Sequence, residues 1–167
     1  IKLNENSLPK TDGRTYSIIN KEYVDNTVSE EKKLLVFDNN LSFENTEFAN
    51  KNFKKIFLVL NGNETRKIKL SEKVLNFKKF LIHDQEIRLK QKSISCEIIN
   101  IEELKNINED IYALYPSVGE NLDYINSINL KNIKFLYRKI DKYSWKFCNK
   151  GFFNFKNYIP KIVQEFI

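Results

Sequence analysis

A polar turn after the first strongly apolar stretch is the place in this chain where chemistry is easiest to build. Leu34 to Phe37 is continuously apolar, and Asp38, Asn39 and Asn40 follow it directly. Ligands of open α/β folds bind just beyond the carboxyl ends of the strands. Carboxylate and amide oxygens could hold a small molecule there or chelate a hard cation. The competing interpretation is an Asx turn that does no more than end the strand.

The other titratable side chains do not form a recognisable catalytic arrangement. A metal site at the turn would need a second carboxylate, and Glu102, Glu103, Glu120 and Asp123 follow later predicted strands. His83 is the only histidine and lies within a predicted helix, where a solvated or capping role is expected. The spacing supports neither a Ser-His-Asp nor a Cys-His site, and no Gly-rich phosphate loop follows the first strand. We therefore predict no catalytic residue and no metal, and favour a non-enzyme.

Cysteine usage and hydropathy restrict the compartment. Cys96 and Cys148 are not in a Cys-x-x-Cys pair, and one histidine is too few for a zinc site. We expect two buried free thiols and hence an intracellular, reducing compartment, either cytoplasmic or organellar. No apolar run reaches membrane-spanning length and no signal peptide is visible, so we expect no membrane contact. The chain begins with Ile1 and contains no methionine, which we interpret as a start that was trimmed or left out.

Strand-like and helix-like segments alternate along the middle of the chain. Apolar runs predict strands at residues 34–37, 55–60, 96–101, 110–115 and 133–140. Helical patterns separate them, at residues 43–50, 71–92, 101–107 and 120–129. This alternation predicts a three-layer, Rossmann-like α/β domain with a mainly parallel sheet of about five strands and the Leu34 strand near its centre.

The longest predicted helix begins after Ser71, a favourable N-cap residue, and has Glu72 in its first turn. Its apolar residues recur at helical spacing and predict a stripe that packs on the sheet, consisting of Val74, Phe77, Phe80, Leu81 and Ile87. The helix at residues 120–129 is expected to bury Leu122, Ile125 and Ile128 in the same way.

The composition changes at both ends of this domain. Residues 1–31 are polar and read as an N-terminal extension, residues 32–141 form the α/β domain, and residues 142–167 form an aromatic C-terminal segment. The rings of this segment are those of Trp145, Phe147, Phe152, Phe153 and Phe155, interleaved with Lys142, Lys146, Lys150 and Lys156. Such rings suit a small core or a protein interface. Interleaved rings and lysines also suit a nucleic acid, whose bases stack and whose phosphates are polyanionic.

The overall charge does not decide between these partners. The net charge of +6 arises from 28 basic and 22 acidic side chains spread along the chain, whereas a dedicated nucleic-acid binder concentrates its cations in one stripe. The abundant Asn, Lys, Ile, Phe and Tyr residues all have AT-rich codons, so an AT-rich genome explains much of the lysine content. We therefore favour a solvated basic surface over a polyanion-binding one.

Three stretches in order resemble the N-terminal α/β domain of the photolyase and cryptochrome family, across residues 33–160. That family reads Phe-Arg-x-Asp-Leu-Arg-Leu-x-Asp-Asn after its first strand; Phe37 and Leu41 match, whereas Asp38, Asn40, Ser42 and Asn45 replace the charged residues. Around the fourth strand, Tyr115, Glu120 and Asp123 match the family's Tyr, Glu and Asp, without its Arg. Gly151 to Lys156, Gly-Phe-Phe-Asn-Phe-Lys, resembles the segment where the family leaves this domain.

The resemblance implies a fold rather than a photolyase activity. The flavin-binding and DNA-repair machinery of the family lies in a helical domain beyond the part that this chain resembles. We predict a non-catalytic α/β subunit or interaction module of a larger assembly, with a protein partner. One alternative is a photolyase-like domain that binds a nucleotide or flavin through Asp38, Asn39, Asn40, Tyr115 and Glu120, although no cofactor is predicted outright. Another is an RNA-associated subunit of a ribonucleoprotein.

Overall fold

The computed structural model describes residues 32–130, 132–148 and 151–166. Within them one parallel sheet has the order β3-β2-β1-β4-β5. Its strands are β1 (Lys33–Phe37), β2 (Lys55–Leu60), β3 (Cys96–Asn100), β4 (Ile111–Leu114) and β5 (Ile133–Leu136). The predicted Rossmann-like α/β fold and the central position of the Leu34 strand are confirmed. The predicted N-terminal extension, residues 1–31, lies outside the described residues.

The order of the strands creates a crevice next to β1. The chain leaves β1 for β2 and β3 on one side, and then crosses to β4 and β5 on the other. Leu35 of β1 is therefore paired with Phe57 of β2 and with Ala113 of β4, all in parallel register. The direction of winding reverses between β1 and β4, and in folds of this kind the carboxyl ends of such strands border the ligand crevice.

Both faces of the sheet are covered, which explains why the residues of β1 are continuously apolar. On one face Leu34, Val36 and Ile56 pack under Ile82 and Leu89 of α1 (Glu72–Gln91). On the other face the core includes Leu35 and Phe37 together with residues of α2 (Glu120–Ser127) and of the 3₁₀ helix Ile101–Asn106. Enclosing each of these aliphatic and aromatic side chains contributes roughly 1.5–3 kcal/mol.

The shorter predicted helices are partly confirmed. The 43–50 segment has only a 3₁₀ turn, Phe43–Asn45, with Phe43 and Phe48 buried and Ala49 half-buried. In α2, Leu122 and Ile125 are buried as expected, and Ile128 packs partly buried against the same core.

The face on which α1 packs differs from the prediction. The residues of α1 that face the sheet are Ile82, Gln85 and Leu89, with Lys78 half-buried one turn before them. The apolar stripe predicted to be core is instead exposed and comprises Val74, Phe77, Phe80, Leu81 and Ile87. The polar residues can face inwards because Glu44 accepts a hydrogen bond from Gln85 and Asp38 pairs with Lys78.

The C-terminal segment is helical. β5 ends at Leu136 rather than Ile140, because the chain turns into α3 (Lys139–Trp145), where Arg138 pairs with Asp141 across the first turn. Two further helices follow, α4 (Phe152–Lys156) and α5 (Ile159–Phe166). In α5, Ile162 is buried and Val163 is exposed.

The sequence analysis also made predictions about the burial of the cysteines and about membrane-spanning helices. Both cysteines are free, but Cys148 is exposed and Cys96 half-buried, so the expectation of two buried thiols is wrong. Burial, together with the nearby carboxylate of Glu86, raises the pKa of the Cys96 thiol. Among the helices that the structure describes, none is long and apolar enough to cross a membrane.

Candidate functional site

Asp38 lies at the carboxyl end of β1, as predicted, and its side chain is only 2% exposed. The ammonium of Lys78, from the half-buried side of α1, lies 2.6 Å from Asp38 Oδ2. The backbone N–H of Asn61 donates to the same oxygen at 3.0 Å, and Asn121 Nδ2 donates to Oδ1 at 3.1 Å. One carboxylate therefore joins β1 to α1, to the end of β2 and to the first turn of α2.

A group of amide side chains extends this contact into a network, which we call the Asp38 network and define as Asp38, Asn39, Asn61, Lys78 and Asn121. Asn121 Nδ2 also donates to Asn39 Oδ1 at 3.1 Å, and Asn61 Nδ2 donates to Asn121 Oδ1 at 2.8 Å. Lys78 Nζ donates a further hydrogen bond to the carbonyl of Asn61 at 2.9 Å. Asn61 and Asn121 are buried, so their polar groups need these partners.

The two asparagines of the turn that are nearest to solvent are bonded to the loop after β4. Asn39 Nδ2 donates to the carbonyl of Pro116 at 2.7 Å, and Asn40 Nδ2 donates to the carbonyl of Tyr115 at 3.3 Å. The structure thus places Asp38, Asn39, Asn40 and Tyr115 together at the β1–β4 crevice, as expected for strand ends at a switch point. Burial raises the pKa of the Tyr115 phenol.

Glu120 lies at the outer side of this crevice. Its carboxylate forms an ion pair with Arg66 of the loop between β2 and α1, and Arg66 Nε donates to the carbonyl of Gly62 at 2.8 Å. Thr65 Oγ1 in the same loop donates to Asn61 Oδ1 at 3.1 Å. All five ligand-binding candidates therefore lie at one edge of the sheet, around the Asp38 network.

The ligands that the Asp38 network and Glu120 could bind are limited, because the charged side chains here are paired with one another. Asp38 is paired with Lys78, and Glu120 with Arg66, so the two acids and two bases leave no net charge to attract an ion. Each oxygen of Asp38 already accepts from groups of the protein itself, and the pairs join elements that are distant in the chain. A network of this kind stabilises the arrangement of the strand ends, while Asn39 and Glu120 remain at the surface.

An open cavity lies beside this network. It has a volume of about 380 Å³ and lies between Leu60 and Asn100, at the ends of β2 and β3, and Leu75 and Lys79 of α1. Glu64 also lines it, and its carboxylate folds over Gly62. The cavity is at the edge of the sheet predicted for a ligand, but none of the five candidate ligand residues lines it.

The remaining site candidates do not converge on this edge. In the part of the chain that the structure describes, no group of three or more His, Cys, Asp or Glu residues is placed to hold a metal ion. The lone histidine, His83, is exposed on α1 and lies 3.4 Å from a carboxylate oxygen of Glu86. That position fits the solvated role expected for it.

The rings of the C-terminal segment are divided between the domain and the solvent. Trp145 packs edge-on against Tyr115 and Tyr137, with ring centroids 5.7 Å apart in each case. Phe147 stacks on Tyr158 at 4.4 Å, and Phe155 is half-buried. By contrast, Phe152 is 64% and Phe153 85% exposed.

The four lysines proposed as polyanion contacts have different surroundings. Lys146 Nζ lies 5.4 Å from the ring centroid of Tyr143, Lys156 is exposed, and Lys142 is half-buried. Lys150 lies outside the described residues. The three described lysines therefore do not share one environment.

Sequence reasoning did not identify three members of the Asp38 network. Asn61 directly follows β2, so the rule that predicted Asp38, polar residues just after strand ends, could have found it. Asn121 lies in the first turn of α2 rather than at a strand end, so that rule does not reach it. Lys78 carries no such signal. It is one of many lysines in a helix, and only the fold brings it to Asp38.

Comparison of the chain with protein-family models, with curated proteins and with solved structures gives no match. The resemblance to the photolyase and cryptochrome N-terminal domain therefore stays a prediction. What can be argued about function comes from the site geometry and from the exposed surface.

Proposed function

We propose that this chain is a non-catalytic α/β module that binds a protein partner through its C-terminal segment. The observation that carries the proposal is the exposure of Phe152 and Phe153, whose rings contact each other edge to face at 5.8 Å and are otherwise largely open to solvent. Adjacent large rings on the surface of a monomer are usually a contact site, and buried aromatic anchors supply much of the energy of protein interfaces.

The exposed rings lie between two parts of the C-terminal segment that pack on the domain or are buried. Trp145 fixes the end of α3 against Tyr115 and Tyr137, and Ile162 anchors α5 by burial. Phe152 and Phe153 lie between these two anchors, in α4.

The surrounding charges favour a protein over a nucleic acid. Lys146 and Lys161 lie over rings of their own chain, 5.4 Å from Tyr143 and 5.9 Å from Phe147. Phe152 and Phe153 pack edge to face with an interplanar angle of 68°, so they do not offer a row of parallel faces for successive bases. Exposed lysines at the edge of an apolar contact fit acidic residues on a protein partner.

The experiment is affinity purification of the tagged chain from the cells that produce it, with quantitative mass spectrometry. The Phe152→Ser/Phe153→Ser variant should lose a defined set of proteins that copurify with the wild type. The control is Ile68→Ser/Val118→Ser, which removes two equally exposed apolar side chains elsewhere and should retain that set. Equal recovery in the two variants would count against the proposal.

Nuclease treatment separates the nucleic-acid alternative in the same experiment. If the partner were RNA, nuclease would release the copurifying proteins. Neutralising Lys146, Lys150 and Lys156 would then reduce the salt dependence of binding by about one unit of log–log slope per lost phosphate contact. For a protein partner, Phe152→Ser/Phe153→Ser should weaken binding far more than the lysine changes.

The cavity next to β2 supports a second candidate, a small-molecule site. It lies at the carboxyl edge of the sheet, where ligands of doubly wound folds bind, and both Lys79 and Asn100 could hydrogen-bond a ligand there. A thermal-shift screen of nucleotides and flavins tests it, since a ligand at 100 times its Kd adds about 2.7 kcal/mol of stability. Lys79→Ala should abolish any shift, whereas a shift lost on Asn40→Ala would instead place the ligand at the β1–β4 crevice.

A further inference from the structure

An apolar face of α1 is open to solvent along the length of the helix. We call it the α1 outer face, and it consists of Val74, Phe77, Phe80, Leu81 and Ile87. Phe77 is 60% and Phe80 74% exposed, and no described element packs over them. An apolar surface with two phenylalanines on one helix is unusual for a face meant to be solvated.

The surroundings of this face are basic. Several cations of α1 and of the loop before it are already paired within the domain: Lys78 with Asp38, Arg88 with Asp84 and Glu44, Lys90 with Glu86, and Arg66 with Glu120. Lys67 in the preceding loop is exposed and has no ion pair with a described residue. Lys73 and Lys79 on the helix are exposed. A segment that covers the α1 outer face should therefore combine apolar side chains with negative charge.

Residues 16–31 of this chain have that composition. Their apolar side chains are Tyr16, Ile18, Ile19, Tyr23, Val24 and Val28, and their charged ones are Glu22, Asp25, Glu30 and Glu31 against a single Lys21. Residues 1–31 have more acidic than basic residues, so the rest of the chain has a higher positive net charge than the whole chain. The segment is thus complementary to the α1 outer face both in polarity and in charge.

The connection to β1 puts this segment within reach. Lys33 at the start of β1 is in register with Lys55 of β2, and Ile56 is in register with Cys96 of β3. Because α1 ends at Gln91, shortly before β3, its last turn lies at the same edge of the sheet. The eight residues from Val24 to Glu31 can extend roughly 26–29 Å, and a 20-residue helix is about 30 Å long.

We propose that residues 16–31 bind the α1 outer face of the same molecule, with Tyr23, Val24 and Val28 against its apolar side chains and the acidic residues towards its lysines. The occupant is thus part of the chain itself rather than a separate protein. Because the segment is covalently joined at Lys32, its effective concentration at the face is high, and weak contacts are sufficient to hold it.

Limited trypsin digestion of the full chain tests the proposal, with the bond after Lys21 followed by mass spectrometry. Binding should protect this bond, and Phe77→Ser/Phe80→Ser should make its cleavage at least about tenfold faster, because cleavage tracks the population of the open form. Phe152→Ser/Phe153→Ser, which removes two exposed rings far along the chain, should leave the rate unchanged.

A cross-linking measurement keeps the test independent of the stability of the serine variant. With Cys96 and Cys148 replaced by Ser, a short bismaleimide should join Asp25→Cys to Asp84→Cys, an exposed position of α1, within one molecule, but should not join Asp25→Cys to Phe153→Cys. Equal cleavage rates in wild type and Phe77→Ser/Phe80→Ser would overturn the proposal. So would protection that increases with protein concentration, or a cross-link found only between two chains, because the face would then bind a second copy.

Discussion

The ammonium of Lys78 lies 2.6 Å from the carboxylate of Asp38, and the two side chains are only 17% and 2% exposed. This pair fastens α1 to the end of the central strand. Asp38 is also bonded to Asn61 and Asn121, so its charge is compensated by hydrogen bonds as well as by the lysine. The turn after β1 is therefore a junction between four elements of the fold.

Removing the carboxylate should be costly. We expect Asp38→Ala to lower the free energy of unfolding by about 3 kcal/mol, because it leaves a half-buried ammonium and two amides without their partner. Urea denaturation measures this. Asp84→Ala is the control, since it breaks an exposed pair with Arg88 on the same helix and should cost no more than about 0.5 kcal/mol.

A double-mutant cycle then isolates the pair itself. Lys78→Met should cost less than Asp38→Ala, because the carboxylate keeps its hydrogen bonds from Asn61 and Asn121. In the Asp38→Ala background Lys78→Met should cost little or even stabilise. Independent, additive effects of the two changes would show that the pair does not couple.

Glu44 should make stability depend on acid pH. Burial alone would raise the pKa of Glu44, but hydrogen bonding from Gln85 and its own backbone and the charges of Arg88 and Lys92 together hold it below the ordinary 4.5. A lowered pKa in the folded state means that the ionised carboxylate stabilises the fold above pH 4.5. This contribution is lost as the pH falls through the folded-state pKa.

Glu44→Gln should accordingly destabilise the protein at pH 7 and have a smaller effect at pH 3. Urea unfolding of wild type and variant at the two pH values measures the difference. Glu47→Gln is the control, since Glu47 accepts a hydrogen bond from the Lys139 backbone but is exposed. The same destabilisation by Glu44→Gln at both pH values would contradict a lowered pKa of Glu44 in the folded state.

The hydroxyl of Tyr124 is buried and has no hydrogen-bond partner among the residues that the structure describes. Leaving such a group unpaired costs free energy, so Tyr124→Phe should raise the free energy of unfolding by about 1 kcal/mol. Tyr158→Phe, at an exposed position, should change it little. A loss of stability in Tyr124→Phe, measured by urea denaturation, would mean that the hydroxyl is satisfied in solution.

Two neighbouring residues of α5 test whether the C-terminal segment is packed on the domain. Ile162 is buried and Val163 exposed, so Ile162→Ala should cost about 2–4 kcal/mol and Val163→Ala no more than about 0.5 kcal/mol. Thermal unfolding of the two variants gives the comparison. If both variants had similar, small effects, the packing of α5 on the domain would not contribute to stability.

The sheet could be predicted from the sequence because buried parallel strands have a local signal. Leu34 to Phe37 and Lys55 to Leu60 are short apolar runs closed by polar turns, and the alternation with helices leaves few other architectures. The end of β5 was less predictable, since the apolar pattern continues to Ile140 while Arg138 and Asp141 begin a helix.

The orientation of α1 could not be predicted, and the reason lies in distant residues. Lys78 and Gln85 face the sheet because Asp38 and Glu44, which precede them by some forty positions, supply the partners. A helical pattern read from α1 alone ranks these polar residues as surface and the phenylalanines as core. For the same reason the sequence located Asp38 at a strand end but did not reveal that its oxygens are occupied.

The Asp38 network has a consequence for how the protein unfolds. Its hydrogen bonds join residues up to 83 positions apart, from Asp38 to Asn121, and they can form only once β1, β2, α1 and α2 have docked. We expect such contacts to be largely missing from the folding transition state, in which case weakening them speeds unfolding and leaves the folding rate nearly unchanged. The network should therefore govern the lifetime of the native state rather than the speed with which it is reached.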